Sequence, residues 1–338
     1  MSNESISVAP EQDASPPSEG LLAVINRRGR YVLAIVLSGL TLAYLTGRVV
    51  APPPPSSGAS LLLWNGLSGG LLGALSLLGG LLLCIAVSMV LTHPDAPHAG
   101  MFCAFAGLAY LSFGSRDGGG DGSIRQILAL AQPQHQVGAI YQTLALESLF
   151  WAAIVALADR FTVWLHALRF ANAAWLTRHG VSTDELLDAS ELAHLVVADH
   201  PHRPVTAGLK ASLKDIGGAL LIAVCVNLLV LTVLLRSELK GQTIFAGLAA
   251  GYLAGLAALW AFPRAPLLAV CLAVPLALAG GYFWVASAMG VGGSYPGIAA
   301  LALGRALPLD LVATGVAGAI VGAHTGIRMV VHRILETE

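Results

Sequence analysis

Glu147 is an acidic residue ten positions into the apolar stretch 137–158. At 1.5 Å of rise per helical residue it lies about 15 Å deep, near the midplane of a hydrocarbon core of about 30 Å. A carboxyl at that depth costs about 2.5–3.5 kcal/mol on insertion scales, and some interaction must offset this. One role is a proton or cation site. The other is a protonated acid hydrogen-bonded between helices. Thr143 and Trp151, at i−4 and i+4, share its helix face. Asn227 lies at a similar depth in the stretch 216–235, so an interhelical Glu147–Asn227 hydrogen bond is the expected pairing.

His324 and Arg328 are one turn apart toward the end of the last apolar stretch, 309–331. A histidine there can exchange protons with the adjoining water, while the arginine reaches the interface. The site expectation is therefore Glu147, Asn227 and His324 as ion- or substrate-binding residues. Gly66-Leu67-Ser68-Gly69 and Gly322-Ala323-His324-Thr325-Gly326 resemble the serine and histidine motifs of rhomboid intramembrane proteases. The resemblance implies a Ser68–His324 dyad and an intramembrane hydrolase. In rhomboids the two motifs are two spans apart; here they are six apart. The helical rise also sets Ser68 within about 10 Å of one face and His324 about 22 Å from it. Hydrolysis is accordingly the last of three function classes.

His93-Pro94-Asp95-Ala96-Pro97-His98 and His194…Asp199-His200-Pro201-His202 are rich in imidazole, but neither has a metal-ligand spacing, and both read as solvated loops. Cys84, Cys103, Cys225 and Cys271 lie in apolar runs without a CxxC pair and read as core-facing hydrophobes. No phosphate loop, HExxH helix or basic, aromatic-interleaved surface occurs. Neither a cofactor, a metal nor a nucleic acid is expected.

Glycines recur every four residues at Gly247, Gly251 and Gly255, and again at Gly318, Gly322 and Gly326. Such rows form grooves where another helix approaches closely. The partner could be another span or a second protein.

These residues must be carried by membrane helices. Of the 338 residues, 56% are hydrophobic and 11% charged, less than half the charge of a soluble domain. Mean hydropathy is +0.75. The composition excludes an ordinary soluble enzyme and a disordered chain. It predicts an all-α polytopic integral membrane bundle of about eight transmembrane helices, at 31–50, 61–91, 99–114, 137–158, 216–235, 243–262, 266–289 and 309–331. The second run is too long for one straight crossing, so a buried non-helical segment at 61–68 is one expectation. Residues 1–30 read as a disordered cytoplasmic tail, 31–158 and 216–338 as four-helix membrane halves, and 159–215 as a cytoplasmic amphipathic helical loop. Twelve of the 18 Lys and Arg fall on the side of the N-terminus, which predicts both termini in the cytoplasm. The excess of Arg over Lys, with abundant Ala, Gly and Leu, points to the inner membrane of a GC-rich bacterium.

Two function classes lead. The first is permease-like movement of a small solute or ion, with Glu147 as the coupling carboxyl. The second is a non-catalytic scaffold or accessory subunit of a membrane complex, or a homo-oligomer, docked through the glycine grooves or the inside loop. The lipid bilayer is the partner common to both.

Overall fold

In a computed structural model of the chain, the apolar runs are helices and no strand occurs among the described residues, which are 21–45, 60–62, 66–92, 98–113, 137–178, 212–236, 239–290 and 302–337. The helices are α1 (Leu21–Leu45), α2 (Gly66–Thr92), α3 (Ala99–Phe113), α4 (Val137–Arg178), α5 (Leu213–Leu234), α6 (Lys240–Ala261), α7 (Leu267–Gly290) and α8 (Pro308–Thr337). A 3-10 turn, Ala302–Arg305, leads into α8. Seven of the eight are long and apolar enough to cross a membrane. The exception is α3, whose 15 residues span about 22 Å. Leu72, Leu75, Val90, Leu221, Leu229, Phe245 and Trp284 point outward. A surface so apolar belongs in lipid, and the protein is a multi-pass membrane protein.

The helix ends show where local chemistry outweighs hydropathy. α4 does not stop at 158. Its apolar run meets Asp159 and Arg160, which looks like a membrane exit, but neither residue breaks a helix, and the first breaker is Gly180. The helix therefore runs on for 42 residues. Helix α5 begins at Leu213, before its apolar run, because Ser212 and Asp215 form a reciprocal cap. The Asp215 N–H donates to Ser212 Oγ and the Ser212 N–H to Asp215 Oδ2, each at 3.1 Å. At the other end of α5, Gln242 Nε2 donates to the Leu234 carbonyl at 2.9 Å, and the Arg305 guanidinium donates to the carbonyls of Leu235 and Arg236. These donors satisfy carbonyls that a helix end leaves bare. The part of the 159–215 loop after Arg178, up to residue 211, lies outside the described residues.

α6 and α8 form the closest pair, and the two glycine rows face each other across it. A Cβ on Gly247 would overlap Thr314, one on Gly251 the Gly315 carbonyl, and one on Gly255 the Ala319 carbonyl. In return, Gly318 meets the Leu248 carbonyl, Gly322 that of Tyr252, and Gly326 that of Leu256. Both grooves are thus filled from within the chain. α4 packs on α7 and more lightly on α2, and α5 lies against α6 and α7. α1 joins α2 and α3, with a Ser38–Ser88 hydroxyl bond of 3.1 Å between α1 and α2. Cys84, Cys103 and Cys271 are buried, whereas Cys225 faces outward from α5, contrary to the expectation for all four.

Candidate functional site

Glu147 has no solvent-exposed surface. It lies on the buried face of α4, and its partners come from a short non-helical segment ahead of α2. Ser60 Oγ donates to Glu147 Oε2 at 2.6 Å, and the Leu62 N–H approaches the same oxygen at 3.4 Å. The Leu61 N–H also points to this carboxyl. Leu61 and Leu62 are themselves buried, and Leu62 packs over Gly70 in the first turns of α2. The expected non-helical segment is therefore present at 60–62, although the helix already begins at Gly66. Its free N–H groups explain its position. Backbone donors at membrane depth need acceptors, and the Glu147 carboxyl supplies one.

Oε2 is thus capped, and Oε1 is not. Glu147 Oε1 has no hydrogen-bond partner among the described residues, and neither has Trp151 Nε1, one turn further along α4 and directed at the same carboxyl. A carboxyl whose purpose was to join helices would use both oxygens on them. Here one oxygen holds the 60–62 segment, and the other faces the Trp151 indole N–H without a hydrogen bond to it among the described residues.

Two tyrosines build the neighbouring wall. Tyr141 of α4 and Tyr282 of α7 stack with centroids 6.3 Å apart. Their hydroxyls donate to the carbonyls of Gly304 at 2.8 Å and Ala306 at 2.9 Å, fixing the 3-10 turn. The fields of Glu147 and Asp310 both reach the Tyr282 hydroxyl. Asp310, an ordinary helix-start acid by position, is buried in the first turn of α8. The 60–62 segment thus lies on the Glu147 carboxyl, while the turn leading into α8 is held by Tyr141 and Tyr282, of which Tyr282 also feels the Glu147 field.

Asn227 is not part of this site. It is buried on α5, but its Nδ2 donates to the Ala223 carbonyl of its own helix at 2.9 Å. α4 and α5 both lean on α7, which separates positions of equal depth. His324 is distant as well: it is fourteen residues, about 21 Å, further along α8 than Asp310. The Ser68 backbone is in the first turn of α2, at the Glu147 end, so the rhomboid-like pair is not brought together.

His324 instead approaches His98, which precedes α3, and His166 of α4 is also close to His98. His98, expected as a solvated loop residue, is largely buried, and its Nδ1 has no hydrogen-bond partner among the described residues. Burial, then the neighbouring His324 and His166, push its pKa from 6.5 down to about 4. The neutral ring therefore contributes stability that is complete above pH 6.5 and lost as the pH falls toward 4. The loss is on the order of 3 kcal/mol at the limit. Melting curves between pH 7 and 4 should show this acid sensitivity in the native protein, and His98→Gln should reduce it.

The sequence reading missed Ser60, Tyr141, Tyr282 and the burial of Asp159. A signal existed for Ser60, which adjoins an apolar run too long for one crossing. Ser60→Ala removes a hydrogen bond to a charged group and should cost about 1.5–3 kcal/mol. It should also raise hydrogen exchange at Leu61 and Leu62, and unchanged exchange there would argue against the cap. Comparison with known protein families, with curated proteins and with solved structures finds no match to this chain.

Proposed function

We propose that this protein is a permease-like membrane protein that moves a small solute or ion, with Glu147 as the carboxyl that binds and releases the coupling cation. One observation carries the reading. Glu147 is fully buried, capped on one oxygen by Ser60 and Leu62, and unpartnered on the other. Ionised, it holds the Ser60–Leu62 segment with two N–H or O–H donors. Protonated or cation-bound, it holds them less strongly, because hydrogen bonds to a charged acceptor are roughly twice as strong as neutral ones. Loading of the carboxyl and opening of the segment are thereby coupled, and a permease needs such coupling to avoid a leak.

The lysine and arginine distribution supports a bacterial inner membrane with both termini in the cytoplasm. The scaffold reading drew on glycine grooves open to a partner and on the inside loop, of which 179–211 lie outside the described residues. Both grooves close on each other within the chain, so no observation favours it over transport. The test is flux through the full-length protein in liposomes loaded with a pH-sensitive dye, under an imposed proton or sodium gradient. Flux above that of protein-free liposomes, lost in Glu147→Gln, is the expected result. Absence of flux under every gradient would remove the transport reading, and native mass spectrometry would then report whether partner subunits accompany the chain.

A further inference from the structure

We propose that His98, His166 and His324 form a proton-sensing clasp at the end of the bundle away from Glu147. With the rings neutral, the clasp holds the start of α3 beside α4 and α8; when they take up protons, it releases it. The proposal does not depend on the transport reading, because His166 is nineteen residues, about 28 Å, further along α4 than Glu147.

Three elements converge here. His98 caps α3: its carbonyl accepts the first bond of that helix, from the Phe102 N–H at 2.9 Å. His166 comes from α4 and His324 from α8, and the fields of both reach the His98 ring. The part free to move is the first turn of α3, which packs only lightly on α4. On its other side Gly100 lies against Met89 and the Ile85 carbonyl of α2. That contact is apolar and backbone, so a proton on His98 leaves it unchanged and acts on the side facing α4 and α8.

Protonation acts against the closed arrangement in three ways. In an imidazolium both nitrogens are donors, and the buried His98 Nδ1 has no partner among the described residues, so it then carries a proton that nothing there accepts. The ring also caps the N-terminus of α3, the end of a helix dipole that disfavours a cation. Finally, the neighbours are basic. Arg328 adds its field to His324 on α8. Gly107 of α3 meets Ser38 of α1, and counting back along both helices places the exposed Arg28 and Arg30 at about the level of His98. α2 has no charged side chain, and α6 has only Lys240, at its far end. The acids of the other two helices are set apart. Asp159 is two turns, about 10 Å, before His166 and interacts with Arg160, and Glu336 is twelve residues, about 18 Å, beyond His324. His93 and Asp95, just ahead of His98, lie outside the described residues. The depressed pKa of His98 has the matching sign: the neutral ring favours the closed clasp above pH 6.5, and this is lost as the pH falls toward 4.

The experiment is hydrogen exchange of the full-length native protein, His98→Gln and His324→Gln in detergent at pH 7 and pH 4.5, each rate divided by that of an unstructured peptide at the same pH. In the native protein, exchange of the first-turn amides of α3 should rise in acid by roughly 50-fold, the ratio set by a pKa of 6.5 in the open clasp and about 4 in the closed one. The α6–α8 pair should stay protected. His98→Gln should abolish most of the rise, because glutamine is neutral at both pH values, and His324→Gln should lessen it by removing a repelling ring. Unchanged α3 exchange in the native protein would overturn the clasp. So would a loss of protection shared equally by α3 and the α6–α8 pair, which is general acid unfolding. A rise that persists in full in both variants would overturn it too, since the proton would then act elsewhere. If His98→Gln does not fold, His324→Gln and His166→Gln carry the same comparison.

Discussion

Alanine at Gly251 should destabilise the folded protein by about 3 kcal/mol, the upper end of the usual cost of overpacking a core. The added methyl would occupy the position of the Gly315 carbonyl oxygen on α8. A backbone oxygen cannot rotate aside as a side chain can, so α6 and α8 must separate. Separation also loosens the reciprocal contacts of Gly318 and Gly322 with the Leu248 and Tyr252 carbonyls. Without a hydrophobic force between helices in lipid, this close packing is what joins them. Gly280→Ala is the control. Nothing lies within 4 Å of a Cβ there, so the substitution should stabilise α7 by about 0.5–1 kcal/mol through the lower backbone entropy of alanine. Unfolding of the purified protein in detergent would read both, and the expected result is a difference in sign. Equal effects would mean that the two glycine rows do not meet.

Glu147→Gln should abolish flux while leaving the protein folded. Glutamine has nearly the same shape, and its amide oxygen can accept from Ser60 and Leu62, so the cap persists, though weakened. It cannot take up or release a proton. Glu147→Leu provides the contrast. It removes the carboxyl to which the Ser60 hydroxyl and the Leu62 N–H donate, at about 1–3 kcal/mol for each bond lost. The leucine variant should therefore lose both flux and stability, and the glutamine variant flux alone. Full activity in Glu147→Gln would reduce the carboxyl to helix–helix adhesion, a role that an uncharged acceptor fills equally well.

Hydropathy is a local property, and it placed the membrane helices within a few residues except where capping or the lack of a breaker moved an end, and except for α1, which begins at Leu21, ten residues before its apolar run and within the stretch 1–30 expected as a disordered tail. It also placed Glu147 in the interior, since the short side chain of an acid ten residues inside an apolar helix cannot reach either interface. The glycine spacing was legible for the same reason: a four-residue period puts a row on one helix face. The partners of these groups were not legible. Whether a groove is filled by α8 or by another protein, and whether Glu147 meets Asn227 or Ser60, depends on which helices are neighbours. Equal depth says nothing of that, and α7 lies between α4 and α5. Asp159 illustrates the limit best. Beside Arg160 it resembles a membrane boundary, and only the packing of α4 on α7 turns that boundary acid into a buried one. Residue type and spacing act over a few turns, but burial and pairing arise from contacts between segments dozens of residues apart.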